Sequence, residues 1–350
     1  MQIKLDKWIY NPSEYNKTPY QYMYLEWHNK EPRVNWVKEL PEKVNFKKII
    51  KWKISKNYSI DINICGYLNN KSNKFIKYSG VNLKTTFLKS HLQKCIRRKI
   101  KNKALKTAFS LINKDIIEFL RRLPIIMIED CSLHYSFSYI IWLMVAYPEY
   151  ELKNTDINYL LQIVDYLSST EYKDLLEKTE IPLLSYIEKL NSLKTEYLTI
   201  LYSVGLRKSY GGLKGDMELL SSVIKKWIIR FDSNLPINTI VFNQINTNKF
   251  YLLNKNLLLS NKINYSAIDF HCFPGILSNL NTIYPEVTQD LFKKLIWDNI
   301  SSINYRNIIG DKLELLPKKK ISDYEINLWN NYRSKIISII IKYEDKIYDL

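Results

Sequence analysis

Glycine is scarce in this chain, with eight residues in 350. A phosphate-cradling loop needs closely spaced glycines, so that backbone N–H groups can face the phosphates, followed by Lys and Ser or Thr. No stretch has that order, which excludes a P-loop module. The nearest is Tyr210-Gly-Gly-Leu-Lys-Gly-Asp216, whose spacing is wrong and which no strongly apolar strand precedes. Cysteine is scarce too. Cys65, Cys95, Cys131 and Cys272 are scattered, without a CxxC pair, so a reducing compartment fits better than a disulfide framework. No GxSxG elbow marks a serine nucleophile. The most apolar stretch, Tyr139–Tyr147, is roughly half the length of a membrane span. The opening MQIKLDKWIY has no apolar signal core. The expectation is a soluble intracellular protein of cytoplasm, nucleus or viral factory, with no membrane partner and no cofactor.

Acidic residues are also in deficit. Asp and Glu number 35 against 52 Lys and Arg, a net charge of +17. Tyr (27 residues), Ile, Lys and Asn are abundant, and all have AT-rich codons. Such composition is common in AT-rich genomes, those of large DNA viruses among them, and accounts for much of the tyrosine without any base-stacking role. It does not force the acids to lag. A surface this basic attracts polyanions over a Debye length of about 8 Å at physiological salt. Nucleic acid, DNA foremost, is the first expected partner and an anionic membrane the next; a solvated basic surface without a specific ligand, or one that docks an acidic protein, is the alternative.

Apolar residues make up 46% of the chain, enough for a real core. The pattern divides it into three regions. Residues 1–82 read as a small, irregular, partly β region. Tyr58–Cys65 alternates apolar and polar residues like a half-buried strand, and Gly66 with Asn69-Asn70 reads as a turn. Residues 83–232 read as helical. Leu88, Leu92, Cys95, Ile96 and Ile100 form one apolar stripe, and Ala104, Leu105, Ala108, Leu111 and Ile112 another. Asn113 and Asp115 are cap candidates, Pro124 marks a first turn or a kink, and Ser136–Ala146, apolar all round, suggests a buried helix. Further helices are expected over Asp156–Ser168, Pro182–Leu193 and Met217–Phe231, with Asp216 capping the last. Residues 233–350 read as α/mixed: Thr239–Phe242 and Phe250–Leu253 as strands or short buried segments, Thr288–Asn299 and Ser322–Tyr343 as helices, and Lys318–Lys320 as an exposed basic loop. The fold class is mainly α.

The strongest charge feature runs from Lys84 to Arg122, where only Asp115 and Glu118 oppose the cations. Lys94, Arg97, Arg98, Lys99, Lys101 and Lys103 fall across a helix end and the following turn, and are the candidate phosphate contacts. Arg121 and Arg122 sit among apolar neighbours, and Glu129-Asp130 are the nearest acids. These four are expected to form a structural ion-pair network. Lys208, Gly211, Gly212 and Lys214 make a candidate anion-binding loop of backbone amides, set against a plain tight turn before a helix. Two weaker constellations remain. Cys131, His134, His271 and Cys272 have zinc-type donors but poor spacing. Glu129, Asp130 and Asp269 are acids of the kind that hold a metal in nucleases. Buried core residues and ion pairs are the preferred readings of both, and no metal is expected.

Leu92-Gln-Lys94-Cys-Ile96-Arg97, Ala104-Leu105, Arg121-Arg122-Leu123 and Glu129-Asp130 together resemble the C-terminal helical collar of the RarA/MgsA (Werner-helicase-interacting) ATPases, over a quarter of the chain at most. The resemblance implies a helical scaffold, self-association into a homo-oligomer, and work beside replication or repair DNA or a replication-complex partner. The ATPase lies N-terminal to the collar in that family. Its motifs are missing from this chain, so ATP-driven activity is not implied. The expected function is a non-enzymatic accessory protein of DNA replication or repair. A metal-dependent nuclease and a basic assembly or virion protein are the alternatives.

Overall fold

The computed structural model describes residues 20–68, 72–180, 190, 193–233, 238–259, 275–317 and 322–346. Asn69-Asn70, most of Pro182–Leu193, Asp269, His271, Cys272 and Lys318–Lys320 lie outside the described residues.

The chain begins with a four-stranded sheet: β1 (Tyr22–His28), β2 (Glu31–Val37), β3 (Phe46–Lys53) and β4 (Ser59–Tyr67), in the order β2-β1-β4-β3. β1 and β2 form a hairpin through Asn29 and Lys30, both at positive φ, the backbone that a two-residue turn needs to match strand twist. β1 and β4 run parallel; β3 and β4 are antiparallel. The region is more regular than its composition implied. Gly66 is not in a turn. It lies within β4 opposite Leu25, where an added Cβ would fall 2.8 Å from the Leu25 carbonyl oxygen. The edge strand β3 turns Lys47, Ile49, Lys51 and Lys53 to solvent, and lysines on an exposed edge discourage further strand pairing.

Helices dominate the rest. α1 (Thr85–Arg97) and α2 (Lys101–Lys114) bury the two stripes read from the sequence. Between them Lys99 takes a left-handed backbone (φ 59). Its N–H donates to Ile96 O at 3.0 Å, and that of Ile100 to Cys95 O at 2.8 Å. This is a Schellman-type stop made without glycine. α3 (Ile116–Asp130) starts at Asp115, whose side chain accepts from the Glu118 N–H, and continues through Pro124. α4 (Ser136–Ala146) is buried along its whole length, as its all-round apolar character requires. α5 (Asn154–Ser169) is opened by Asp156, a buried carboxylate that accepts from the Lys153 N–H and from the hydroxyls of Tyr139 and Tyr150. α6 (Thr195–Ser209) and α7 (Lys214–Asp232) follow. Asp216 sits inside the first turn of α7 rather than before it.

Sheet and helices share one core. Met23, Leu25, Trp36, Trp52, Ile62 and Ile64 cover the inner face. Trp142 on α4 donates its indole N–H to Met23 O (3.2 Å) and Cys65 O (2.9 Å), and the Trp36 indole reaches Ser203 Oγ on α6 at 3.3 Å. Buried indoles with satisfied N–H groups add direction to the apolar packing.

The C-terminal part departs most from expectation. Asn238–Val241 is a short helix, α8, rather than a strand, and Phe250–Leu253 belongs to no strand. α9 (Ile276–Ile283) and α10 (Gln289–Ile296) follow, α10 running into a π-turn over Trp297–Ser301. α11 (Asp323–Lys346) is opened by a capping box in which Ser322 and Glu325 exchange side-chain and backbone bonds. A small sheet joins β5 (Tyr172–Asp174) in parallel to β6 (Asn307–Ile309), which pairs with β7 (Leu315–Leu316). Beside it, Arg230 clasps Asp174 with two bonds of 2.7 and 3.0 Å, and the Trp227 indole donates to the same carboxylate. Among the described residues no helix is long and apolar enough to cross a membrane.

Two predictions follow from this packing. Gly66→Ala pushes a methyl group into the β1 backbone and should cost about 1–3 kcal/mol, read as a lower urea midpoint. Burial, then the charge of Lys103, drives His91 down to about 3. Burial drives His134 down to about 4, although its bond to Asn243 O opposes this. Both imidazoles fold neutral, so their stabilising contribution is complete above the unfolded value of about 6.5 and is lost as pH falls below it. Stability should drop between pH 6.5 and 4 by up to about 1.4 kcal/mol per unit per imidazole, with a flatter profile in His91→Gln.

Candidate anion-binding basin

The basic run at the α1–α2 junction points largely inward. Arg97 is buried between α1 and α3. Its Nε donates to Asp130 Oδ1 at 2.5 Å, its Nη2 reaches Glu129 Oε1 at 3.3 Å, and its Nη1 reaches Ser301 O at 2.6 Å. Asp130 has no exposure at all. Burial alone would raise its pKa, but the charge and hydrogen bonds of Arg97 outweigh that, and the carboxyl is held below its usual range. Arg306, also buried, donates to Ile96 O and Arg97 O and so closes the C-terminal end of α1. Arg98 is buried as well. Lys99 pairs with Glu171. Lys101 and Lys249 share Asp165 at 2.5 and 2.7 Å, and the Lys249 ammonium, then burial, pulls Lys101 down to about 8. Of the six expected phosphate contacts, Arg97 is therefore held in an internal ion-pair network, Arg98 is buried, Lys99 and Lys101 are engaged by carboxylates, and Lys103 lies half-buried on α2. Lys94 lines the basin.

The expected pairing of Arg121-Arg122 with Glu129-Asp130 does not form. All four lie on α3, which Pro124 does not interrupt. Residues eight apart on one helix are about 12 Å apart along its axis. The two carboxylates meet Arg97, while the two arginines face the α6–α7 junction. There Arg122 donates to Gln93 Oε1 at 2.5 Å and reaches Asp216 Oδ2 at 3.5 Å, and Arg121 donates to Tyr210 O at 3.2 Å.

That junction is the basin. A cavity of about 490 Å³ opens between α1, α3 and the start of α7, with Lys89, Lys94, Arg121, Arg122 and Arg207 around it and only Glu118 and Asp216 opposing them. Lys89 is paired with Glu118. Arg207, in the last turn of α6, is buried and donates to Arg121 O at 3.0 and 3.2 Å and to Gly211 O at 2.9 Å. Burial, then the neighbouring Arg121 charge, lowers its pKa to about 10, with Arg122 adding to the repulsion. Three guanidinium groups thus share a partly desolvated space lined by two carboxylates, a chemistry complementary to an anion. The first turn of α7 adds the positive end of its dipole, with Gly212 and Leu213 on the rim.

The glycine loop is present but works differently from the sequence reading. Gly211 and Gly212 are at positive φ. The Gly211 N–H donates to Lys208 O, while the carbonyls of Tyr210 and Gly211 face Arg121 and Arg207. The loop orients guanidinium groups rather than offering a nest of amides. Gly212 lines the basin; Lys208, lowered in pKa by burial, and Lys214, paired with Glu218, do not. Arg207 and Lys89 were missed in the sequence. The signal for Arg207 was its place in the last helical turn before the two glycines.

The described members of the other constellations are engaged in the fold, while Asp269, His271 and Cys272 lie outside the described residues. The Cys131 thiol, pushed up to about 12 by burial, donates to Leu167 O, and His134 uses one nitrogen on Ser136 and the other on Asn243 O. No group of three or more His, Cys, Asp or Glu is placed to hold a metal among the described residues. No protein-family model, curated protein or solved structure matches this chain.

Removing Arg97 should be severe. Arg97→Ala strands a buried Asp130 charge and should cost about 3–5 kcal/mol. Lys99→Ala, whose partner Glu171 is exposed, should cost at most about 1 kcal/mol. Urea unfolding of the two variants reads the difference directly.

Proposed function

We propose that this chain is a non-enzymatic, nucleic-acid-associated accessory protein that holds backbone phosphates in the basin between α1, α3 and α7. The observation that carries the reading is the convergence of Arg121, Arg122 and Arg207 with Lys89 and Lys94 on one cavity beside a helix start. Arginine forks suit phosphate oxygens, and the net charge of +17 supplies long-range attraction. DNA is the polyanion we favour, in a replication or repair assembly, and self-association through the helical region belongs to the same proposal. The resemblance to the RarA/MgsA collar supports both. A nuclease is disfavoured at Glu129-Asp130, since Arg97 and Gln93 already occupy these carboxylates.

The test is binding of fluorescent single-stranded, duplex and forked DNA across a salt series. Each phosphate contact on duplex contributes about 0.9 to the log–log slope. Replacing Arg121 and Arg122 with alanine should therefore weaken binding and flatten the slope by up to about 2, while Lys51→Ala on the sheet's outer face should leave it nearly unchanged. Absence of binding at low salt would overturn the proposal and point to an acidic protein partner for the basin.

A further inference from the structure

A second cleft lies over α5. Thr155, Asn158, Tyr159 and Gln162 fall at helical spacing on one face of that helix, Thr155 exposed at its start and the other three buried. The stretch 247–251 straps across it. Gln162 donates to Lys249 O at 2.7 Å, Asn158 accepts from the Tyr251 N–H at 2.8 Å, and Lys249 reaches Asp165. Between strap, α5 and the β1–β2 turn is a cavity of about 630 Å³, within the range of small-ligand sites.

Its chemistry is unlike the basin's. The walls are aromatic: Trp27 and Tyr159 meet edge to face at 6.2 Å, and Phe250 stands on the strap with 74% of its surface exposed. The polar groups are the carboxamides of Asn29, Asn158, Gln162 and Asn248 together with Ser, Thr and Tyr hydroxyls, and Lys30 is the only charged residue lining it. Gln162 is 7% exposed, and its Oε1 has no hydrogen-bond partner. The Gln162 NH2 is taken by the Thr247 and Lys249 carbonyls, so Gln162 offers Oε1 as an acceptor, while the Asn248 carboxamide adds a donor and an acceptor of the kind that meet the edge of a nucleobase. Aromatic faces take the base by stacking, whatever its identity. A lining without carboxylates does not repel the attached phosphate, and Lys30 attracts it.

We infer that this cleft binds a planar heteroaromatic base, stacked against Phe250 and Trp27 and met on its edge by the Asn248 and Gln162 carboxamides. The base comes either from a free nucleoside phosphate or from an unpaired nucleotide of a strand. The inference rests on this cleft alone and stands whether or not the basin holds phosphate.

The experiment titrates the full chain into free 2-aminopurine riboside monophosphate and, separately, into a single-stranded oligonucleotide carrying one 2-aminopurine. Stacking quenches the probe. Quenching of both probes, weakened roughly tenfold or more by Phe250→Ala and also by Asn248→Ala, supports a base site open to either source. Quenching of the oligonucleotide alone, with the same losses, assigns the site to strands. Phe250 is exposed, so its replacement leaves the fold intact. No quenching of either probe, or quenching that survives both substitutions, overturns the inference. The Arg121→Ala, Arg122→Ala double variant separates the two sites: riboside quenching should persist in it even where strand affinity falls.

Discussion

The buried pair of Arg97 and Asp130 is the interaction on which the rest of the helical region depends. Two charges withdrawn from water are tolerable only when each is matched and its remaining hydrogen-bonding groups are satisfied. Here Arg97 takes Asp130, Glu129 and the Ser301 carbonyl, which joins α1, α3 and the π-turn after α10. Gln93 donates to both Glu129 and Asp130 and accepts from Arg122. The core pair is thereby coupled to the basin wall through one carboxamide. Arg306 closes the end of α1 from the C-terminal side and also reaches Leu167 O at the end of α5.

This network explains why the basic run was legible as charge but not as surface. Helical spacing correctly placed Lys94–Lys103 across a helix end. It could not show that residues 297–306, some 200 positions later, would cover that end. The sequence reading paired Glu129-Asp130 with Arg121-Arg122 and sent Arg97 to solvent, whereas the structure gives both carboxylates to Arg97. The choice followed from α3 running unbroken through Pro124, which put the adjacent-looking residues two turns apart.

Elsewhere legibility tracked how local the cause was. The α1 and α2 stripes, the all-round apolar α4, the Asp115 cap and the β4 alternation are decided within a few residues, and each was readable. Gly66 was not, because its reason is the Leu25 backbone on another strand. The small β5–β6–β7 sheet joins segments more than 130 residues apart, and three-residue strands carry too little pattern to announce themselves. The inward polar face of α5 was hidden for the opposite reason. Its Asn and Gln look like a solvated face until the strap at 247–251 supplies backbone partners.

The core network and the basin use the same residue types to opposite ends. Around Arg97, acceptors and carboxylates surround the guanidinium, and the net effect on Asp130 is to hold it ionised. Around Arg207, the acceptors are backbone carbonyls, and the nearest side-chain charges include two more arginines. Carbonyl dipoles orient a guanidinium but do not cancel its charge. Burial, then the neighbouring Arg121 charge, lowers Arg207 to about 10, and a phosphate entering between Arg121, Arg122 and Arg207 would offset that repulsion. The fold fixes these cations by helix packing and by the carbonyls of a glycine turn, so little ordering entropy remains to be lost on binding. Preorganisation of charge, rather than the total of +17, therefore separates this basin from the solvated lysines of β3.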